Sequence, residues 1–535
     1  MGRLNIIVTT DTNRPWFAKL SHTTGDLATI LSTQCCGAQK DGYGHWLVPH
    51  ELVETFVPRG FEDKRILRPL VLVAGINPLL HQYQQEAVAR ATAERVLLCN
   101  FEMGLGKTPT SIETLRLTEK TLRGPVLVTV PALVRRNWVN EFARWWPGHP
   151  LIYCAESAKQ AAKWNPNKAP ILVISYDLAT SIPATLEWGA IIADESHYIK
   201  NENSRRSKAL RTLYLRNPQA LKNMLTGTAI TSEPPDLWHQ LDCLRPGSFG
   251  DYWRFVRRYS LVSGNQYGSE AKGLNETFAP ELAARLKSIC VRVTKQEVAH
   301  LLPPFSVQSL MLPPVKSVSP RELLDRASSG LRKQHELDNV VAALGDTKVG
   351  AAVDQVEVAL DGGATHVCVL THFRSTAEKI ANALSRLDVA VIRVDGDIPI
   401  KQRLARIDDA KNLPRAVLVA TMHSINVGID LTRFTVAVFA ELYWQPAAMI
   451  QALGRFSRLS GKLPSQCYLL VRQGSLDEPI AYTLLRRVKD QAALFKPGQA
   501  EAGLAAEFDP ANMREEDFIE SLREAAASRR DEEYL

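Results

Sequence analysis

The chain has 535 residues, of which 45% are apolar and 23% charged, and carries a formal net charge of +7. That length exceeds one ordinary core and predicts three or four structural units, since domains usually run to roughly 100–200 residues, while the apolar content excludes a disordered chain. No uncharged apolar run reaches the roughly 18 residues of a membrane span, and eight cysteines without CxxC pairs or Cys/His metal spacing read as buried thiols in a reducing compartment.

The start, "MGRLNIIVTTDTNRPW", meets charge and proline before a secretory core forms, and Ile6 breaks the myristoylation pattern. Residues 1–75 read as a small α+β domain with its own alternation in "RLNIIVTT" and a turn-rich "KDGYGHW". They carry eight Lys/Arg against seven Asp/Glu, too even a balance for an electrostatic footprint on a polyanion. Short apolar runs then recur between helical stretches: "RVLLC" (95–99), "VLVTV" (126–130), "ILVIS" (171–175), "AIIA" (190–193) and "NMLTGT" (223–228). A second set is "VCVLT" (367–371), "AVIRVDG" (390–396), "AVLVAT" (416–421), "VAVFAE" (436–441) and "YLLV" (468–471). Runs of this kind fit strands buried on both faces of parallel sheets, so the fold class is α/β with two tandem sheet domains. Pro303, Pro304, Pro313, Pro314 and Pro320 crowd the stretch between them, which places the boundary near 303. The expected units are 1–75, 76–302, 303–497 and an acidic tail, 498–535. Residues 501–535 alone hold eleven Asp/Glu and four Arg, leaving +14 for residues 1–500. A body that basic suits a polyanionic partner; the tail reads as a solvated face or an internal mimic of that partner.

The chemistry begins at "NFEMGLGKTPTSI" (100–112), after a strand and ahead of a helix expected over 107–117. Gly104, Leu105 and Gly106 let backbone amides turn toward a phosphate, Lys107 reaches the terminal phosphate oxygens, and Thr108 offers a hydroxyl to magnesium. "AIIADESHYIKN" (190–201) ends a strand in Asp194, suited to hold the metal through water, and Glu195, suited to activate the attacking water. "LTGTA" (225–229) brings the Thr226 and Thr228 hydroxyls beside that pair. "QALGRFSRLSG" (451–461) presents Gln451, Arg455 and Arg458 on one helix, where the two arginines share a face and could neutralise phosphate charge as the domains close. Together these name a nucleoside triphosphate as substrate and Mg2+ as cofactor; that the nucleotide is ATP is what the family resemblance below implies.

In order and spacing these motifs resemble the superfamily 2 helicases, and within them the Swi/Snf-type double-stranded DNA translocases. "HQYQQEAV" (81–88) is similar to the adenine-side Q motif with Gln84, "PALVRRNWVNEFARWWP" (131–147) to motif Ia, and "SYD" (175–177) to a further motif. "VRVTKQEVAHLLPP" (291–304) resembles the signature closing the first lobe. The resemblance spans about residues 76–495. It implies two RecA-like lobes and a DNA-dependent ATPase working on duplex or forked DNA without sequence preference. "SINVGIDL" (424–431) and "AVFAELYWQPAAMIQALGRFSRLSG" resemble the annealing-helicase, HARP-like branch, and 1–75 resembles its small N-terminal module. Departures are Phe101 where the family usually has aspartate, Ala229 for proline, and Leu453 and Ser460 in the last motif. Phe101 is expected to pack against its lobe.

In motif Ia, Val134, Trp138, Phe142 and Trp145 follow helical spacing and read as a core face rather than a base-stacking platform. Arg135, Arg136 and Arg144 lie off that face and are candidates for DNA phosphates; the resemblance adds Lys295 and Thr421. His197 either relays DNA occupancy to the ATP site or packs. The competing functions are a strand-separating helicase, an ATP-regulated nucleic-acid switch without processive movement, and a restriction translocase needing a separate nuclease. The expected location is the cytoplasm, or the nucleoid or host cytosol for a bacterial or viral chain; protein partners are not indicated.

Overall fold

The computed structural model describes residues 7–480 apart from 11–15, 21–24, 42–44, 57–61, 65–72, 184, 202, 228–233, 266–267, 296, 316–340, 426–428, 443–448, 450–451, 476 and 479. The acidic tail lies outside the described residues. The chain divides into two compact units: the first runs to Val293 apart from Glu102–Leu105, which group with the second unit that starts at Thr294.

The first unit contains a seven-stranded sheet. Its spatial order is Cys290–Val293, Val96–Phe101, Leu221–Leu225, Ala190–Asp194, Val126–Val130, Ile171–Ser175 and Ile152–Cys154, all parallel. The five central strands are buried at every position, as unbroken apolar runs predict for four of them; Leu221–Leu225 is buried although it carries Lys222 and Asn223. The strand expected at 223–228 instead spans Leu221–Leu225, since its ladder begins at Lys222 against Val96. Seven of the eight cysteines are buried as expected; Cys154, on the edge strand, is only half-buried.

Residues up to 64 add a separate five-stranded sheet, ordered Gln39–Lys40, Trp46–Pro49, Phe17–Leu20, Ile7–Thr10 and Glu62–Lys64. Its own small core collects Val8, Leu20, Leu27, Leu31, Trp46 and Val48. This module belongs to the first compact unit, and two arginines explain why. Arg254 donates to the carbonyls of Leu31, Ser32 and Cys35 (3.2, 2.8 and 2.7 Å), supplying the orphan acceptors at the end of helix Gly25–Thr33. Arg285 is fully buried, donates to the carbonyls of Cys36 and Ser248, and lies 4.1 Å from the Phe249 ring centre. Gly37 has φ +98°, and a Cβ there would collide with the Ser248 carbonyl, so only glycine permits this approach.

The second unit is built on a six-stranded parallel sheet, ordered Phe305–Leu312, Ser465–Arg472, Val436–Phe439, His366–Thr371, Ala416–Thr421 and Ala390–Val394. The break falls ahead of the expected 303 because Cys290–Val293 still pairs with the phosphate-loop strand. Pro303, Pro304 and Pro313 mark instead the two ends of strand Phe305–Leu312, the first of the second sheet, where an edge position tolerates them.

Phe101 closes its strand with no exposed surface and meets Tyr83 edge to face at 5.2 Å. Two outcomes follow for thermal and denaturant unfolding of the whole chain. Arg285→Met leaves two carbonyls and Glu51 facing a hole without a donor, and the first unit loses about 3–5 kcal/mol; unchanged stability would show that the module is only loosely attached. Phe101→Leu costs about 1 kcal/mol, whereas Phe101→Asp buries an unpaired carboxylate and costs several times more.

Candidate functional site

Three neighbouring strands carry the expected motifs at their C-terminal ends, where open α/β sheets bind ligands. Val96–Phe101 leads into the phosphate loop, Leu221–Leu225 into Thr226, and Ala190–Asp194 into the carboxylate pair, with the Thr226 strand in the middle. The Thr226 amide donates to Cys99 O at 3.1 Å, which draws the first two ends together.

Gly104 and Gly106 both take positive φ, +85° and +82°, and helix Lys107–Thr118 starts immediately after. Gln84 is buried. Its Oε1 accepts from the His81 amide at 2.8 Å, and its Nε2 occupies the space a Cβ on Gly106 would need. The Q-motif residue and the loop are therefore packed together. Lys107 is buried, with Nζ donating to the Phe101 carbonyl at 2.9 Å. Leu105 is buried with its amide on Glu102 O, and Thr108 is half-buried one residue into the helix.

Asp194 is 8% exposed. Its Oδ2 accepts from Trp138 Nε1 at 2.7 Å, its Oδ1 from the Glu195 amide at 3.0 Å, and its carbonyl from the Tyr176 hydroxyl at 2.6 Å. Burial pushes its carboxyl up to about 6, helped by the neighbouring Glu195 charge and opposed by the Trp138 N–H and by Lys107. Glu195 has φ +52°, a left-handed conformation that a residue with a Cβ adopts at a cost of roughly 1–2 kcal/mol. His197 Nδ1 lies 3.5 Å from Glu195 Oε2 and 3.2 Å from Thr226 Oγ1, so one imidazole nitrogen touches both motifs.

Of the motif Ia residues, Val134, Trp138 and Phe142 are buried as expected. Trp145 is not. Helix Arg135–Trp145 ends there, its indole donates to Glu141, and Trp146, at a non-helical φ of −134°, turns into the core in its place. Arg135 donates to the Ala132 and Ala155 carbonyls, and exposed Arg136 pairs with Glu156 at 2.8 Å. The Lys295 amide donates to Glu102 at 2.9 Å, and buried Thr421 closes its strand with its carbonyl accepting from Ser424.

In the second unit, Arg455 and Arg458 do not share a helical face. The helix gives way to a turn at Gly454, where Arg455 and Phe456 donate to carbonyls three residues back, and buried Phe456 anchors the turn. Arg455 is 4% exposed, while Arg458 reaches the Ile429 carbonyl at 2.8 Å. The Leu431 amide donates to Arg455 O, and Ser460 donates to Asp430 Oδ2 at 2.7 Å, so Asp430 and Leu431 are tied to the "RFSRLSG" stretch. Burial pushes the Asp430 carboxyl up, but bonds from Thr432 and Ser460 and the Arg458 charge outweigh it and hold the carboxyl below its usual range. Thr228 and Gln451 lie outside the described residues.

Trp138, Tyr176 and Asp430 were not read as site residues from sequence. Each has a partner 18 to 56 positions away in the chain, and only their presence inside the quoted motifs could have drawn attention to them.

The model of the SNF2-related domain matches residues 65–318, and that of the helicase conserved C-terminal domain matches 352–460. A "SWI/SNF-related matrix-associated actin-dependent regulator of chromatin subfamily A-like protein 1" of Xenopus tropicalis is 25% identical over 86% of this chain and 50% of its own length. The mouse (Mus musculus) "DNA annealing helicase and endonuclease ZRANB3" is 26% identical over 76% of this chain and 40% of its own. The chain thus spans half the length of these relatives or less. Among solved structures, the "Sulfolobus solfataricus SWI2/SNF2 ATPase core in complex with dsDNA" aligns with a TM-score of 0.40 and 21% identity, over 81% of this chain and 96% of that one. No described helix is long and apolar enough to cross a membrane. By its two matched domains, the chain belongs to the Swi/Snf-type superfamily 2 helicases.

Proposed function

We propose that the chain is a DNA-stimulated ATP hydrolase that tracks along duplex or forked DNA by its phosphates and rejoins separated strands. The observation that supports this most is that the phosphate loop, the Asp194/Glu195 pair and Thr226 follow three adjacent strand ends, the last two of them linked by His197. A protein that only gripped nucleic acid would need neither the second carboxylate nor the arginines.

In this reading the amides of Gly104, Leu105 and Gly106 and the helix end behind them receive the phosphates. Lys107 exchanges its bond to the Phe101 carbonyl for a terminal phosphate oxygen, and Gln84 holds the adenine side. The Asp194 carboxylate and Thr108 hydroxyl are oxygen donors, the ligand type that suits a hard divalent cation. Magnesium, when bound, supplies charge neutralisation at the phosphate oxygens. Glu195 orients and deprotonates the attacking water, His197 and Thr226 report to it, and Arg455 and Arg458 offset charge at the transferred phosphate when the lobes close. Arg135, Arg136, Lys295 and Thr421 are the candidate DNA contacts, Arg136 being the one most open to solvent. Strand rejoining extends to this chain what the name of the mouse relative says of that protein.

Glu195→Gln removes the base and leaves the binding groups in place, so nucleotide binding persists while turnover falls by about 10²–10⁴. A variant retaining DNA-stimulated hydrolysis would remove Glu195 from its role. On bubbled and forked substrates the wild-type chain closes the bubble in an ATP-dependent way; displacement of a long duplex without closure would favour strand separation.

A further inference from the structure

Asp194 is held from outside the three motif-bearing strand ends. Its Oδ2 accepts from an indole on another element, the helix Arg135–Trp145, whose first turn carries Arg135 and Arg136. Trp138 is 1% exposed and its ring packs 5.9 Å from that of Phe142. Packing alone would be met by a phenylalanine; the N–H is what a core position does not require. With Trp138 on one oxygen and the Glu195 amide on the other, the carboxylate plane is fixed, and its remaining lone pairs point in set directions.

We propose that Trp138 is a positioning residue: its indole N–H sets the orientation of the Asp194 carboxylate and ties that orientation to the helix bearing Arg135 and Arg136. The inference rests on the ATPase reading above. Without the donor, Oδ2 is a buried oxygen lacking one partner and the carboxylate can turn, so it meets a cation less well. A shift of the helix as its arginines meet phosphates reaches Asp194 through this one bond.

Two measurements on the full chain test it. In metal-free and nucleotide-free protein, the indole N–H resonance that Trp138→Phe removes is identified by NMR, and in Asp194→Ala it moves upfield as its acceptor is lost. An unmoved resonance would overturn the pairing, and where Trp138→Phe folds poorly the same resonance is identified by sequential assignment of the wild-type chain. In hydrolysis assays, Trp138→Phe raises the half-saturating Mg2+ concentration roughly tenfold with the KM for ATP changed less than about twofold; a merely structural loss lowers the active fraction without moving the Mg2+ dependence, and that result would also overturn the proposal. Lys107→Ala separates the two levels: if it abolishes hydrolysis while Trp138→Phe matches wild type, only the positioning role falls. If Lys107→Ala hydrolyses ATP normally, the ATPase reading itself falls.

Discussion

Taking a carboxylate out of water at the tip of a fully buried strand is the constraint around which the first unit is arranged. Asp194 ends five residues without solvent-facing positions, and its charge is tolerable only because donors arrive from two directions. One of those donors is the Glu195 amide, and Glu195 itself takes a left-handed backbone turn that a residue with a side chain rarely adopts. The same turn sends Glu195 outward, where it is 24% exposed, while Asp194 stays in. Two neighbouring acids are thereby set to different environments, which suits the proposed division between a metal-holding Asp194 and a water-activating Glu195.

A similar demand for donors fixes the N-terminal module. The carbonyls of Leu31, Ser32, Cys35 and Cys36 end a helix against the lobe, and Arg254 and Arg285 reach across to them. The side-chain guanidinium of Arg285 is buried among Phe249, Tyr259 and Glu51, and Gly37 lets the two backbones approach. The module therefore follows the motion of its lobe.

Much of this was legible in the sequence because the chemistry of each motif is local. Gly104 to Thr108 must fit one turn, and Asp194 and Glu195 must leave one strand end; four of the five central strands announced themselves as uninterrupted apolar runs, while Lys222 and Asn223 blurred the start of the fifth. What stayed hidden joins distant residues. Trp138 was readable as core but not as the donor to Asp194, fifty-six positions away. The bond between Asp430 and Ser460 ties two motifs that sequence treats separately. Helical spacing misled twice, at Arg455 and Arg458, where a buried Phe456 ends the helix early, and at Trp145, where the helix stops and Trp146 takes the core position. Prolines near 303 were read as a linker, yet they bracket a strand.

The central claim is that the carboxylate pair and phosphate loop hydrolyse ATP in response to phosphates on DNA. It is tested most directly by the ATP hydrolysis rate of the full chain, with and without duplex and forked DNA, titrated against salt. The account predicts stimulation by DNA of any sequence, with an apparent DNA affinity that falls steeply and linearly on a log–log salt plot. A hydrolysis rate indifferent to DNA, or a stimulation that does not weaken with salt, would contradict it.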